Sequence, residues 1–128
     1  MLPAPVVKRA AKRAEIGLVY YGSTAPAMHE ALDILAAKGV AVDALRIRAF
    51  PLSKAIADFV EEHEIVFVVE QNRDGQMRSL MTIDLEINPR RLESVRHYGG
   101  LSITAGFIVE AVLERLSVAA APVLEPVT

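Results

Sequence analysis

One stretch of the sequence constrains the fold more than any other. Ile65 to Val69 is an unbroken apolar run in which four of the five residues are β-branched, and it leads directly into the polar run Glu70 to Gln76. Such an apolar run is typical of a strand buried on both faces, as in a parallel sheet covered by helices. In open sheets of this kind, ligands and partners bind at the carboxyl ends of the strands. We therefore expect the polar run to lie at the functional edge of the sheet.

Composition narrows the class of protein. A chain of 128 residues, 52% of them hydrophobic, is long enough for one domain with its own core. A net charge of −2 gives no basic footprint for nucleic acid. The absence of cysteine excludes disulfides, iron–sulfur ligation and thiol catalysis by this chain. No apolar run reaches the roughly 18 residues needed to span a membrane, and there is no signal-peptide core, so we expect a cytoplasmic protein.

The hydrophobic pattern predicts four strands that alternate with four helices. The strands are predicted at residues 16–21, 40–48, 65–69 and 92–98. Right-handed crossovers with helices on both faces give an open, mostly parallel three-layer α/β sheet. The two most apolar strands, the first and the third, are expected at its centre, so the spatial order is second, first, third, fourth.

Each predicted helix carries an apolar stripe and a cap. The predicted N-caps are Ser23 or Thr24, Ser53, Asp74, and Ser102 or Thr104, and Gly39 is the predicted left-handed C-cap of the first helix. The stripes are Met28, Leu32 and Leu35; then Leu52, Ile56, Phe59 and Val60; then Met77, Leu80, Met81 and Leu85; the last helix runs through Phe107, Ile108, Ala111, Val112 and Leu116.

The N-terminal segment is ambiguous. Val6 to Ala14 fits either an edge strand or a loose helical turn, and the residues alone leave both open. Its cations, Lys8, Arg9, Lys12 and Arg13, form a short run diluted by alanine, which predicts a solvated face.

Two strand ends are expected to meet at one edge. Gly22-Ser23-Thr24 follows the first strand and either holds a phosphate at the helix N-terminus or is an ordinary helix cap. Neither a Walker nor a dinucleotide fingerprint accompanies it. Glu70 is expected to accept hydrogen bonds from turn amides or to pair with Arg73 or a partner's cation, because no nucleophile accompanies it. The remaining amide side chains, Gln71, Asn72 and Gln76, indicate recognition.

The histidines give no metal site. His29-Glu30 resembles the start of a zinc-protease helix, but Asp33 stands where the second histidine is needed. His63 and His97 lack carboxylate or histidine neighbours at ligand spacing, so we expect no bound metal.

Five segments follow a known pattern. They are Leu2-Pro3 with Pro5-Val6-Val7; Tyr21-Gly22-Ser23-Thr24 with Glu30-Ala31; Leu45-Arg46-Ile47-Arg48-Ala49-Phe50-Pro51; Val68 to Gln76; and His97-Tyr98-Gly99-Gly100-Leu101. In these segments the chain resembles the C-terminal domain of the alpha subunit of 2-oxoacid:ferredoxin oxidoreductases, particularly the 2-oxoglutarate enzymes. The resemblance covers nearly all of residues 2–116.

The resemblance implies a transketolase C-terminal-like fold, with an antiparallel N-terminal edge strand that accounts for Val6 to Ala14. It also implies a complex that uses thiamine diphosphate with Mg²⁺, iron–sulfur clusters and coenzyme A to convert a 2-oxoacid to an acyl-coenzyme A and reduce ferredoxin. The family's thiamine motif is Gly-Asp-Gly followed by Asn, which Arg73-Asp74-Gly75 does not match. We therefore expect this chain to bind no cofactor and to be inactive alone.

The leading hypothesis is a structural, assembly-forming domain at residues 15–118, with a linker or edge strand at 1–14 and a flexible tail at 119–128. Expected partners are the pyrimidine-binding domain of the alpha subunit, the beta subunit and, through the complex, ferredoxin, with no nucleic acid or membrane. The candidate interface residues are Gly22, Ser23, Thr24, Glu70, Gln71, Asn72, Arg73, Asp74 and Gln76. On this hypothesis, substitution of Glu70 or Arg73 by alanine loosens assembly more than the fold. The alternative is a free-standing flavodoxin-like module that binds a small molecule or phosphate at the same edge.

Overall fold

The computed structural model describes residues 5–21, 25–48, 52–70, 76–96 and 103–120, and the structural statements that follow concern these residues. The elements are β1 (Val6–Lys8), β2 (Ile16–Tyr21), α1 (Ala25–Ala37), β3 (Val42–Ile47), α2 (Lys54–Glu61), β4 (Ile65–Glu70), α3 (Gln76–Asp84), a 3₁₀ turn (Pro89–Arg91), β5 (Leu92–Arg96) and α4 (Ala105–Ala120). None of these helices is long and apolar enough to cross a lipid bilayer.

The five strands form one sheet in the order β1-β3-β2-β4-β5. β2 pairs in parallel with both β3 and β4, and β4 pairs in parallel with β5. β1 lies antiparallel along the outer edge of β3, with Val6 opposite Arg46. The predicted α/β class, the order of the four parallel strands and the central places of β2 and β4 are confirmed. The antiparallel edge strand settles the ambiguity of the N-terminal segment.

Two apolar cores cover the two faces of the sheet. Because successive strand residues point to opposite faces, Phe67 and Val69 pack with α1 and α4, while Val66 and Val68 pack with α2 and α3. All four of these β4 side chains are buried. The apolar run from Ile65 to Val69 is therefore part of a central strand that is enclosed on both sides.

The helix caps were predicted with mixed success. Gly39 has φ +83° and so takes the left-handed conformation, and Thr104 Oγ1 accepts the Phe107 amide at 3.2 Å at the start of α4. Ser53 is the N-cap of α2, but its side chain makes no cap hydrogen bond. Asn88 adds an unpredicted cap, since its side chain accepts the Arg90 amide in the 3₁₀ turn.

Two predicted details of the helices differ from the structure. Leu80 was assigned to the core stripe of α3, but it is 38% exposed, whereas Met81 is fully buried. The reason is that Met77, Met81 and Leu85, spaced by four, define the sheet-facing stripe, and Leu80 lies roughly a quarter turn away from it. In addition, α4 continues beyond the predicted apolar stripe to Ala120, and the domain boundary at residue 118 stays a prediction.

Candidate functional site

One residue predicted to form the functional edge of the sheet, Glu70, has defined contacts at the end of β4. It is the last residue of β4 and only 4% exposed, so its carboxylate needs partners. Oε1 accepts the Met77 amide at 2.5 Å and Oε2 accepts the Arg78 amide at 3.3 Å. These amides belong to the first turn of α3, where backbone N–H groups have no partner within the helix. The expectation that Glu70 accepts backbone amides is confirmed, and the carboxylate caps the helix from the adjacent strand.

The start of α3 is also tied to the edge of the sheet. Arg78 donates from Nε to the Leu92 carbonyl at 3.1 Å and from its guanidinium to the Pro89 carbonyl at 2.9 Å. Glu70 and Arg78 together therefore fix α3 between β4 and β5. With both carboxylate oxygens engaged by the helix, Glu70 acts as an anchor for the polar run rather than as an open base.

The other predicted site residues are only partly described. Gly22, Ser23, Thr24, Gln71, Asn72, Arg73 and Asp74, including the predicted helix cap, lie outside the described residues. Gln76 is the exposed first residue of α3. Because β2 and β4 are parallel and in register from Ile16 opposite Ile65, their carboxyl ends, Tyr21 and Glu70, lie at the same edge. The predicted meeting of these two strand ends is confirmed, while the recognition role of the surrounding residues stays a prediction.

These contacts change the expected effect of substituting Glu70. Glu70→Ala removes the acceptor for two amides at a helix N-terminus, so we expect it to lower the free energy of unfolding by about 1–2 kcal/mol. Glu70→Gln keeps one acceptor and loses the charge that favours this position, so its loss should be about half as large. Urea unfolding followed by circular dichroism measures both. Equal stability of Glu70→Ala and the unsubstituted protein would contradict the capping role.

The capping contacts limit what a Glu70 substitution can reveal about assembly, which stays a prediction. The sequence-based hypothesis expected Glu70→Ala to loosen assembly more than the fold. A buried carboxylate that holds a helix cannot be removed without cost to the fold, so this substitution does not isolate assembly. Arg73 remains the better probe.

A second cluster, at the amino ends of the strands, was missed by the sequence analysis. Asp43 on β3 is 6% exposed and His63, between α2 and β4, is 2% exposed. His63 Nε2 lies 2.8 Å from Asp43 Oδ2, and Nδ1 lies 2.6 Å from the Phe59 carbonyl oxygen. The spacing of residues around His63 predicts no ligand partner, but the fold brings Asp43, 20 positions away in the sequence, to its Nε2.

The N-terminal segment completes this cluster. Arg9 donates to Asp43 Oδ2 at 3.1 Å and lies 2.7 Å from Glu62 Oε1, and the Ala10 amide donates to Asp43 Oδ1 at 2.8 Å. Arg9 therefore does more than form a solvated face. Burial alone would raise the pKa of Asp43, but the hydrogen bonds from Ala10, His63 and Arg9 outweigh it, so that pKa lies below its ordinary value.

One sequence signal could have revealed the cluster. Asp43 stands inside a strand whose other residues are mostly apolar, and a buried carboxylate requires partners. Gly17, opposite Asp43 on β2, is the complementary feature, because a Cβ there would lie 2.7 Å from Phe59 Cε1 and 3.3 Å from His63 Cγ. The missing side chain makes room for the Phe59 and His63 rings.

The cluster borders a cavity. The cavity has a volume of about 640 Å³ and lies between residues 9–14, Asp43 and residues 61–63. No hydroxyl or thiol of the described residues lines it. Nowhere among the described residues do three or more His, Asp or Glu side chains come together as metal ligands. The contacts of the Asp43 cluster join the N-terminal segment, β3 and the connection between α2 and β4.

Comparison with known proteins shows which family this chain matches. Residues 14–108 match the family described as pyruvate:ferredoxin oxidoreductase core domain II. A search of curated proteins finds no match.

Two solved structures share the fold. A chain of the 2-oxoglutarate:ferredoxin oxidoreductase from Magnetococcus marinus, solved with 2-oxoglutarate, coenzyme A and succinyl-CoA bound, aligns with a TM-score of 0.78 at 28% identity, covering 89% of this chain and 20% of that one. The alpha chain of a probable 2-oxoacid ferredoxin oxidoreductase from Thermoplasma acidophilum aligns with a TM-score of 0.58 at 21% identity, covering 88% of this chain and 97% of that one. The second likeness shows the fold alone. The chain thus spans a fifth of the Magnetococcus chain.

Proposed function

Because the chain belongs to the pyruvate:ferredoxin oxidoreductase core domain II family, we propose that it is a structural, assembly-forming domain of a 2-oxoacid:ferredoxin oxidoreductase complex of the 2-oxoglutarate type. The observation that carries the proposal is the family match over residues 14–108. The likeness to the Magnetococcus enzyme supports the 2-oxoglutarate assignment. Family membership favours this role over a free-standing flavodoxin-like module.

The carboxyl edge of the sheet is the proposed docking surface. Glu70 and Arg78 fix the start of α3 against β4 and β5, so the end of β4 and the start of α3 are held relative to each other. A fixed anchor of this kind reduces the ordering that association requires. Glu70 holds the start of α3 in place. The proposed contact residues are Gly22, Ser23, Thr24, Gln71, Asn72, Arg73, Asp74 and Gln76.

The chemistry of the complex is assigned to other parts of it. Thiamine diphosphate with Mg²⁺ would supply decarboxylation, iron–sulfur clusters would carry the electrons, and coenzyme A would take the acyl group. Among the described residues, no three His, Asp or Glu side chains come together as metal ligands, and the sequence has no cysteine for a cluster. The partners we propose are the pyrimidine-binding domain of the alpha subunit and the beta subunit, with ferredoxin reached through the complex.

Arg73→Ala in the assembled complex tests the docking surface. We expect about a tenfold weaker association of this domain with its partners, since removing one interface cation that meets a carboxylate costs on the order of 1–2 kcal/mol. The unfolding midpoint of the isolated chain should not change. Lys38→Ala is the control, because Lys38 is an exposed cation just beyond the C-terminus of α1, at the opposite edge. Analytical ultracentrifugation and turnover assays measure both variants, and an Arg73→Ala complex with unchanged association and turnover would contradict the proposal.

A further inference from the structure

Residues 5–13 are attached to the rest of the domain by few apolar contacts. β1 has only three residues, all with exposed side chains, and it pairs with β3 alone. Val6 and Val7 are 49% and 41% exposed. Neither of the two apolar cores includes a residue from this segment. Detaching it would therefore uncover little apolar area.

Ionic contacts hold the segment instead. Asp43 binds it twice, through the Arg9 guanidinium at 3.1 Å and the Ala10 amide at 2.8 Å. Arg9 also pairs with Glu62 at 2.7 Å and lies with its guanidinium carbon 5.8 Å from the centre of the Phe59 ring. Charge-assisted hydrogen bonds of this kind are stronger than those between neutral groups, so a single guanidinium supplies much of the attachment.

Asp43 keeps a partner within the rest of the domain when the segment is detached. Asp43 keeps His63 as a buried partner at 2.8 Å, and the rings of His63 and Phe59 are in contact, with centroids 4.4 Å apart. Opening would therefore leave Asp43 with its His63 hydrogen bond and would expose Oδ1, which accepts the Ala10 amide in the closed arrangement, to water. The lowered pKa of Asp43 keeps its carboxylate charged at neutral pH, which favours the closed arrangement.

We propose that residues 5–13 form a releasable strap, locked onto the sheet by Arg9 and Asp43, which opens without unfolding the domain and uncovers the outer edge of β3. The strap precedes residues 14–108, the part of the chain that matches the family model. Once open, the backbone of β3 from Ala44 to Arg46 presents an unpaired strand edge. This inference concerns β1 and the outer edge of β3, and it does not rest on the docking surface proposed at the carboxyl ends of the strands.

Hydrogen exchange measured by NMR on the full chain tests the strap. In Arg9→Ala we expect protection of the β1 amides that donate to β3 to fall roughly tenfold, since the lost charged hydrogen bonds shift the opening equilibrium by about that factor. Protection of the β4 amides should stay unchanged. Lys12→Ala is the matched control, because it removes a cation of the same segment without touching the Asp43 contacts, and it should leave both strands unchanged.

Three results would overturn the inference. Unchanged β1 protection in Arg9→Ala would show that Arg9 does not lock the strap. A parallel fall of β1 and β4 protection would show that the segment unfolds only with the whole domain. An absence of β1 protection in the unsubstituted chain would show that the strap is not closed in solution.

Discussion

Asp43→Ala should lower the free energy of unfolding by about 3 kcal/mol, because it removes one partner of a buried ionic network. The substitution leaves the Ala10 amide and His63 Nε2 without their acceptor, and His63 remains 2% exposed. Burying such groups unpaired carries a large free-energy cost. Urea denaturation of the purified chain, followed by circular dichroism, measures the effect.

Asp33→Ala is the control for Asp43→Ala. Asp33 is an exposed aspartate on α1, and alanine favours helix, so this variant should differ from the unsubstituted protein by less than about 0.5 kcal/mol. If the Asp43 and Asp33 variants were equally stable, the cluster at the amino edge would not be the structural element described above.

Gly17→Ala is expected to cost about 2–3 kcal/mol through overpacking. Its new Cβ would lie 2.7 Å from Phe59 Cε1 and 3.1 Å from Phe59 Cζ. Phe59 is 2% exposed and in contact with His63, so its ring has no open space into which it can move. The measurement is again the midpoint and slope of urea unfolding.

Gly106→Ala separates overpacking from the general effect of replacing glycine. Gly106 lies in the first turn of α4, and a Cβ there meets no atom within 4 Å. Alanine should therefore be neutral or stabilise the helix by up to about 1 kcal/mol. A Gly17→Ala protein as stable as the Gly106→Ala protein would show that the close packing of β2 against α2 is not required.

Strand order and core could be predicted from the sequence because they follow from apolar periodicity. The run from Ile65 to Val69 identified a central strand, and the weaker pattern of residues 92–98 predicted the edge now seen as β5. Leu80 shows the limit of that reasoning. On a short helix, two apolar residues that differ by about a quarter turn around the helix axis can lie one in the core and one at the surface. The sequence pattern alone can therefore assign an exposed residue to the core.

The candidate site was harder to predict because its contacts join residues far apart in the chain. Glu70 was correctly expected to accept amides, since a carboxylate that ends a buried strand must find donors nearby. The Asp43–His63 pair and its Arg9 and Ala10 contacts depend on β3 lying between β1 and β2. No local spacing encodes that arrangement. The signal available was a single aspartate within a mostly apolar strand.

The division of labour within the complex is the central claim, and cofactor binding tests it most directly. Isothermal titration of thiamine diphosphate with Mg²⁺ into this chain alone should give no saturable heat, whereas the same titration into the assembled complex depleted of cofactor should give saturable binding. Stoichiometric, saturable heat with the isolated chain would contradict the claim that this domain provides structure and leaves the chemistry to its partners.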